Sequence, residues 1–479
     1  MCKSNPRGGS LETNRFLKSP TRGGVPAATA TLREAARAGL EPLEARYLLT
    51  TYYVSTGGSD GSAGTSDAAA FATLQHAADK VKAGDTVIVR AGTYASGFAI
   101  GYNTPQAGTA AAPIQFLADP GVLVTGKAPH TSSSYLSAID ISNGCDYVTV
   151  SGFTMNDALA NMSGAGIWVT NSAHVTLTGN TCTGTAKWGI LTGFCDYLDI
   201  EHNTLSGVGQ HGIYIGNACT SPVVMYNTSF NNGRSGIQLN GDKQENPATT
   251  GIIDHATIEF NVCYNDALTS SAAAISLDGT QDSVIGDNLL YDNHGNGIVL
   301  FPADGGTLNG GVDPASSNNL IVDNTVANTK YWSIQIIWGS TGNVVLDNVL
   351  WSDSAFGSYG SIECDAASQG GFHSDYNLVE GTNPTNGAFN TDANDGVPLS
   401  FAQWKASTGQ DAHSIALTSG AAAFAAYASP TSSSNDYHPK AGGPAVDTGA
   451  AALAGQNALP TDLDGNPRPQ GAGYDIGAY

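Results

Sequence analysis

Aligning the chain on each isoleucine that follows a glycine or other small residue exposes a repeat: Ile167, Ile190, Ile213, Ile237, Ile275, Ile298, Ile334 and Ile362, at spacings of 23, 23, 24, 38, 23, 36 and 28. An independent column of asparagines keeps the same rhythm: Asn180, Asn203, Asn227, Asn261, Asn288, Asn324 and Asn348. By the two-residue period of a strand, the column Ile and the residue two later (Val169, Ile215, Leu239, Leu277, Leu300, Ile336) point inward, and the residue between them points out. A base period of 23 to 24 residues is therefore one coil of short strands and turns. No such coil covers its own apolar face, and stacking the coils buries a continuous core. The asparagines are expected to occupy left-handed turn positions, where their amides bond from coil to coil.

Before the repeat, Phe71, Leu74, Ala77, Ala78 and Val81 fall at helical spacing, Gly84 is expected to stop the helix, and residues 85–90 (DTVIVR) read as a strand. This strand, helix, strand order resembles the N-terminal cap of secreted right-handed parallel β-helix proteins, in which a helix covers the open end of the solenoid. Residues 40–50 (LEPLEARYLLT) resemble a short motif near the N-terminus of large exported bacterial proteins. The segments NDYHPKAGGPAVDTG and DLDGNPRPQGAGYDIGAY resemble the C-terminal, DIGAYE-like region of exported β-helix proteins. From residue 52 to 479 the chain is similar to pectate-lyase-like β-helix repeat proteins. The resemblance implies an all-β, right-handed parallel β-helix with an N-terminal cap helix. It divides the chain into a leader over 1–50, the solenoid over 51–380 and a β-rich segment over 381–479 that packs on or continues the solenoid. No anchor is expected after Tyr479.

Charge sharpens the picture. The formal net charge is -22, but eight of the 19 Lys and Arg lie in the first 50 residues, so the body carries 11 cations against 37 acids. Such a body repels nucleic acid and anionic lipid. Its apolar runs are far shorter than the ~20 residues of a membrane span, and a monomer is expected. Seven cysteines show no metal-site spacing. Cys195 and Cys219 fall on neighbouring coils, within disulfide reach. Phosphate-loop and HExxH motifs are missing, as is the acidic calcium cluster of some β-helix lyases and epimerases.

Candidate chemistry gathers at one edge. Only four Lys or Arg lie between residues 135 and 380, and Lys187, Arg234 and Lys330 stand three or four positions before a column Ile. Lys187, His211 and Arg234 precede consecutive column residues, so they are expected to stack at about 4.8 Å per coil. Like charges at that spacing depress Lys and His pKa values and so make a base; solvated turn residues are the plain alternative. Trp168 and Tyr214 follow the column Ile, and Trp188 and Trp332 precede it, with Tyr331 and Trp338 nearby. Exposed rings there would form a sugar platform. Gln238 and Asn240 face the same way. Asp242 and Asp278 on adjacent coils, and Glu363 with Asp365, could hold calcium or act as a hydrolase pair. Two inserts, GDKQENPATTG and PADGGTLNGGVDPASSN, follow the same strand and are expected to line the binding face.

The leading expectation is an exported or cell-surface protein acting on polysaccharide, with calcium as the candidate cofactor and a glycan as partner. A lyase would clamp a uronate carboxylate with Arg234, take the α-proton with Lys187 or His211 and protonate the leaving oxygen with Tyr214. A glycoside hydrolase using Asp242, Asp278, Glu363 or Asp365 is the alternative, and a non-catalytic glycan-binding surface protein is the third.

Overall fold

The computed structural model describes residues 49–130, 136–156, 163–246, 248–303, 314–353, 356–357, 359–380, 389–391 and 398–479. The 1–50 leader lies outside them save for its last two residues, as do residues 304–313 of the second insert and 381–388 and 392–397 of the C-terminal segment.

Each coil contributes one strand to each of three long parallel sheets, which hold 12, 12 and 11 strands. In the coil that starts at Thr176, Thr176–Thr178 lies in the first sheet, Thr181–Thr183 in the second and Trp188–Gly193 in the third. This is a right-handed parallel β-helix. The column isoleucines are the spine of the third sheet, paired rung to rung from Ile167↔Ile190 through Ile334↔Ile362. All are fully buried, as are Val169, Ile215, Leu239, Leu277, Leu300 and Ile336, so the alternation places both inward rows in one core.

The asparagines form the expected amide ladder at the corner between the first two sheets. Asn180 Nδ2 donates to Asn203 Oδ1 at 3.1 Å, Asn203 to Asn227 at 3.0 Å, and the chain of bonds continues through Asn261, Asn288, Asn324 and Asn348 to Asn377. Their backbone is not left-handed, contrary to expectation. The positive φ falls on the residue before each one: Gly179, His202, Tyr226, Phe260, Asp287, Asp323 and Asp347. That residue turns the corner, and its asparagine saturates the buried backbone groups the corner leaves behind. Side chains at the turning position face outward and stack, as in His202, Tyr226 and Phe260 at 4.9 Å.

Both ends are covered. The N-terminal helix is shorter than its periodicity predicts, Leu74–Ala78, capped by the Thr73 hydroxyl, which accepts from His76 N–H. It ends before Gly84, which instead makes the turn (φ +88) into the strand Thr86–Val89. Phe71, Leu74, Ala77, Ala78 and Val81 are nonetheless all in the core. At the other end the helix Phe401–Thr408 carries a full capping box at Ser400 and inserts Trp404 against Phe372. The chain then runs back along the solenoid. Leu459 N–H and Ala450 N–H donate to Asp323 and Asp347, and Arg468 is buried against Asp287 and Asp323.

Candidate functional site

The outward row of the third sheet reads Trp168, Leu191, Tyr214, Gln238, Ser276, Val299, Gln335 and Glu363. The corner that leads into this sheet lies beside it and carries the scarce cations. Their register differs from the expected stack. Gln210 N–H donates to the Lys187 carbonyl at 2.7 Å, and Arg234 N–H donates to the Gln210 carbonyl at 2.8 Å, so a neutral amide side chain separates the two cations. His211 sits one position on, because it stands two residues before Ile213 whereas Lys187 and Arg234 stand three before theirs.

The aromatic edge divides in two. Trp168, Trp188 and Tyr214 pack edgewise around Leu191, with centroids 6.4 and 6.1 Å apart, and the Lys187 ammonium lies 5.0 Å from the Trp188 ring. Trp188 is only 9% exposed and Trp332 only 3%, so neither is the open platform the sequence led us to expect. Trp338, 59% exposed, is open to solvent, with Phe301 edge-on at 6.3 Å.

Between these groups two adjoining depressions form one groove. The first, about 290 Å³, brings His211, Arg234 and Gln238 together with Ser276, Phe301 and Trp338. The second, about 310 Å³, is lined by Ser271, Asn296, Tyr331, Trp332, Gln335 and Tyr359. Ser270, Ser271, Asn296, Phe301 and Tyr359 had no sequence signal, whereas Gln335 follows its column Ile as Gln238 does and was passed over. His211 is 6% exposed, and its Nδ1 is buried without a hydrogen-bond partner among the described residues. Burial first, and the charge of Arg234 second, push its pKa down to about 3, so its imidazole is neutral at neutral pH. Arg234 itself is exposed. Tyr214 is next to His211, with ring centroids 5.3 Å apart.

The acids take other roles. Glu363 and Asp365 face outward on their strand yet are covered: Gln335 Nε2 donates to Glu363, and Asp365 accepts the backbone N–H of Trp338 and of Ser368. Asp278 is buried and pairs in register with Asn240, while Asp242 is half-buried and accepts Gln244 N–H at 2.7 Å. No three or more His, Cys, Asp or Glu gather as a metal site among the described residues. Cys195 and Cys219 are buried free thiols rather than a disulfide, and burial pushes both pKa values up.

Comparison with known proteins follows the fold. A family described as periplasmic copper-binding protein (NosD) matches residues 84–249. The uncharacterized protein YwoF of Bacillus subtilis (strain 168) is 27% identical over 341 residues, covering 64% of this chain and 70% of YwoF. Pectate lyase Pel9A superposes with a TM-score of 0.50 at 12% identity, covering 90% of this chain and 96% of Pel9A. XylC in complex with xylose gives a TM-score of 0.49 at 14% identity, over 69% of this chain and 75% of XylC.

Proposed function

We propose that this is an exported carbohydrate-active protein whose groove binds a glycan chain and cleaves it next to a uronate by β-elimination. The observation that carries this reading is the meeting of exposed Arg234 and neutral His211 in one depression beside the open ring of Trp338. Arg234 pairs with the uronate carboxylate, which makes the α-proton more acidic. His211 takes that proton as the C–H electrons form the new C=C bond and the C–O bond to the leaving sugar breaks. The Tyr214 hydroxyl protonates the departing oxygen. Binding of the carboxylate offsets the charge of Arg234, the second cause of the depressed His211 pKa, so the base strengthens once substrate is in place. Lys187, drawn onto the Trp188 ring, is the weaker candidate for the base.

The fold shared with a pectate lyase and the periplasmic description of the matching family support export and glycan chemistry. Copper is not carried over. Between residues 84 and 249 the cysteines Cys145, Cys182, Cys195 and Cys219 are thiols whose pKa burial pushes up, away from the thiolate a soft metal takes. Asp242 and Asp278 would supply two of the about six to eight oxygens that calcium takes. The hydrolase alternative is weaker because Glu363 and Asp365 are already committed to Gln335 and to backbone N–H groups. One observation favours binding without turnover: the burial of His211.

The test is incubation with neutral and uronate polysaccharides, following ultraviolet absorbance of unsaturated uronate and, in parallel, new reducing ends. Both signals rising together support the lyase. Reducing ends alone point to hydrolysis, and glycan affinity without either points to a binding protein.

A further inference from the structure

We infer that the corner leading from the third sheet into the first carries a glycan site separate from the groove: a slot one ring thick between Tyr197 and His255 that takes a neutral pyranose. Tyr147, His174, Tyr197, Ser221 and His255 turn this corner on consecutive coils, each left-handed with φ of 54 or 55°. His174 N–H donates to the Asp196 carbonyl, Tyr197 N–H to that of Thr220 and Ser221 N–H to that of Asp254, so the positions stand on successive rungs. The same backbone angles on stacked rungs send the side chains out in the same direction. The first three rings accordingly stack, with centroids 4.3 and 4.7 Å apart and planes within 9° of parallel.

The stack then lacks one ring. Ser221 stands where the next is due, and a ring resumes one rung on with His255, whose side chain is 63% exposed and whose Nδ1 lies 3.2 Å from Asp254 Oδ2. The next corner of the same three coils shows that rung filled: Tyr226 lies between His202 and Phe260 at 4.9 Å from each, within 8° of parallel. Two rungs of about 4.8 Å therefore leave room above Ser221 for one ring with contact on both faces. Among the described residues the Tyr197 ring, on a side chain 49% exposed, stacks only on its His174 side. A pyranose presents C–H groups on its faces and hydroxyls around its rim, which suits a slot with rings on two sides and polar groups about its base. Ser221 supplies a hydroxyl there, and exposed Asp196 and half-buried Asp254 stand beside it. None of residues 196–197, 220–221 and 254–255 is Lys or Arg, so a uronate carboxylate finds no cation at these positions, unlike at Arg234. The strand Ile213–Asn217 separates this corner from His211, which puts slot and groove on opposite edges of the third sheet.

The test is electrophoresis of the full chain through gels that carry a neutral polysaccharide: xylan, galactomannan or mixed-linkage β-glucan. Retardation is expected in at least one gel, to weaken several-fold in Tyr197→Ala and to vanish in Ser221→Tyr, which completes the stack with a residue already held at this φ in Tyr147 and Tyr197. Ser221→Ala leaves the slot open and should keep the retardation. The loss caused by Ser221→Tyr should be the same in a Trp338→Ala chain, whose groove has no open ring. Absence of retardation in all the gels, or retardation that survives Ser221→Tyr and Tyr197→Ala, overturns the slot. Retardation that disappears with Trp338→Ala alone also overturns it and assigns the neutral glycan to the groove. No arm measures cleavage, so failure of the eliminative reading leaves these outcomes unchanged.

Discussion

Arg468 Nη1 lies 2.6 Å from Asp287 Oδ1 and 3.7 Å from Asp323 Oδ2, with all three side chains removed from solvent. Asp347 stands one rung further along the same corner and receives Ala450 N–H. One guanidinium therefore serves a row of three buried carboxylates, and the returning C-terminal segment is fastened to the solenoid through them.

Removing the guanidinium leaves the buried Asp287 and Asp323 carboxyl groups without their partner. Arg468→Met is expected to destabilise the fold by about 3–5 kcal/mol, the range for breaking a buried pair. Chemical denaturation measures the loss, and limited proteolysis should show the last thirty or so residues cut first. An unchanged midpoint would show that the segment does not depend on Arg468.

Stability should fall as pH rises. Burial pushes Asp287 and Asp323 above the carboxylate range, Asp347 up to about 9 and Asp266 up to about 8. Each raised pKa contributes stability that is full below the unfolded value of ~3.9 and is lost, at up to about 1.4 kcal/mol per pH unit, as pH climbs toward the folded value. His211, with its lowered pKa, acts in the opposite sense below about 6.5 and is outnumbered. Thermal unfolding should therefore give a higher Tm at pH 5 than at pH 8.5, with Asp347→Asn flattening the slope. A Tm that climbs with pH would contradict this.

The asparagine ladder makes a third prediction. Asn261 donates to the Asn288 side chain and to the Val224 carbonyl, and accepts Asn227 N–H. Asn261→Ala strands several buried groups at about 1–3 kcal/mol each, whereas Gln456→Ala, at an exposed position, should cost under ~0.5 kcal/mol. Denaturation of the pair is the check.

Catalysis should separate residues that look alike in sequence. His211→Ala and Arg234→Ala are expected to lower eliminative turnover by at least about a hundredfold, while Lys187→Ala stays within a few-fold. Trp338→Ala should raise KM more than it lowers kcat. Loss of activity with Lys187→Ala and not with His211→Ala would reassign the base.

Which parts were legible follows from what repeats. Ile and Asn recur because every coil needs the same inward side chain and the same corner amide, so fold and register stand in the sequence. The turning residue before each Asn varies among Gly179, His202, Tyr226 and Asp287, and its left-handed backbone left no mark. Likewise His211, Arg234, Gln238 and Trp338 could be found by counting from the column. Ser271 and Asn296 enter the groove only because neighbouring coils set them side by side, while Gln335 follows its column Ile as Gln238 does. Burial was the least readable property: Trp188 and Trp332 precede the column as an exposed ring would, yet Trp168 and Tyr214 pack on the first and Tyr359 on the second.

The third sheet's outward row is graduated, one side chain per rung at about 4.8 Å. From Gln238 to Gln335 that row advances three rungs, Ser276 and Val299 between them. Whatever lies in the groove is measured against this ruler, and inserting or deleting one whole coil would change the length it measures while leaving every hydrogen-bonding rule of the solenoid intact.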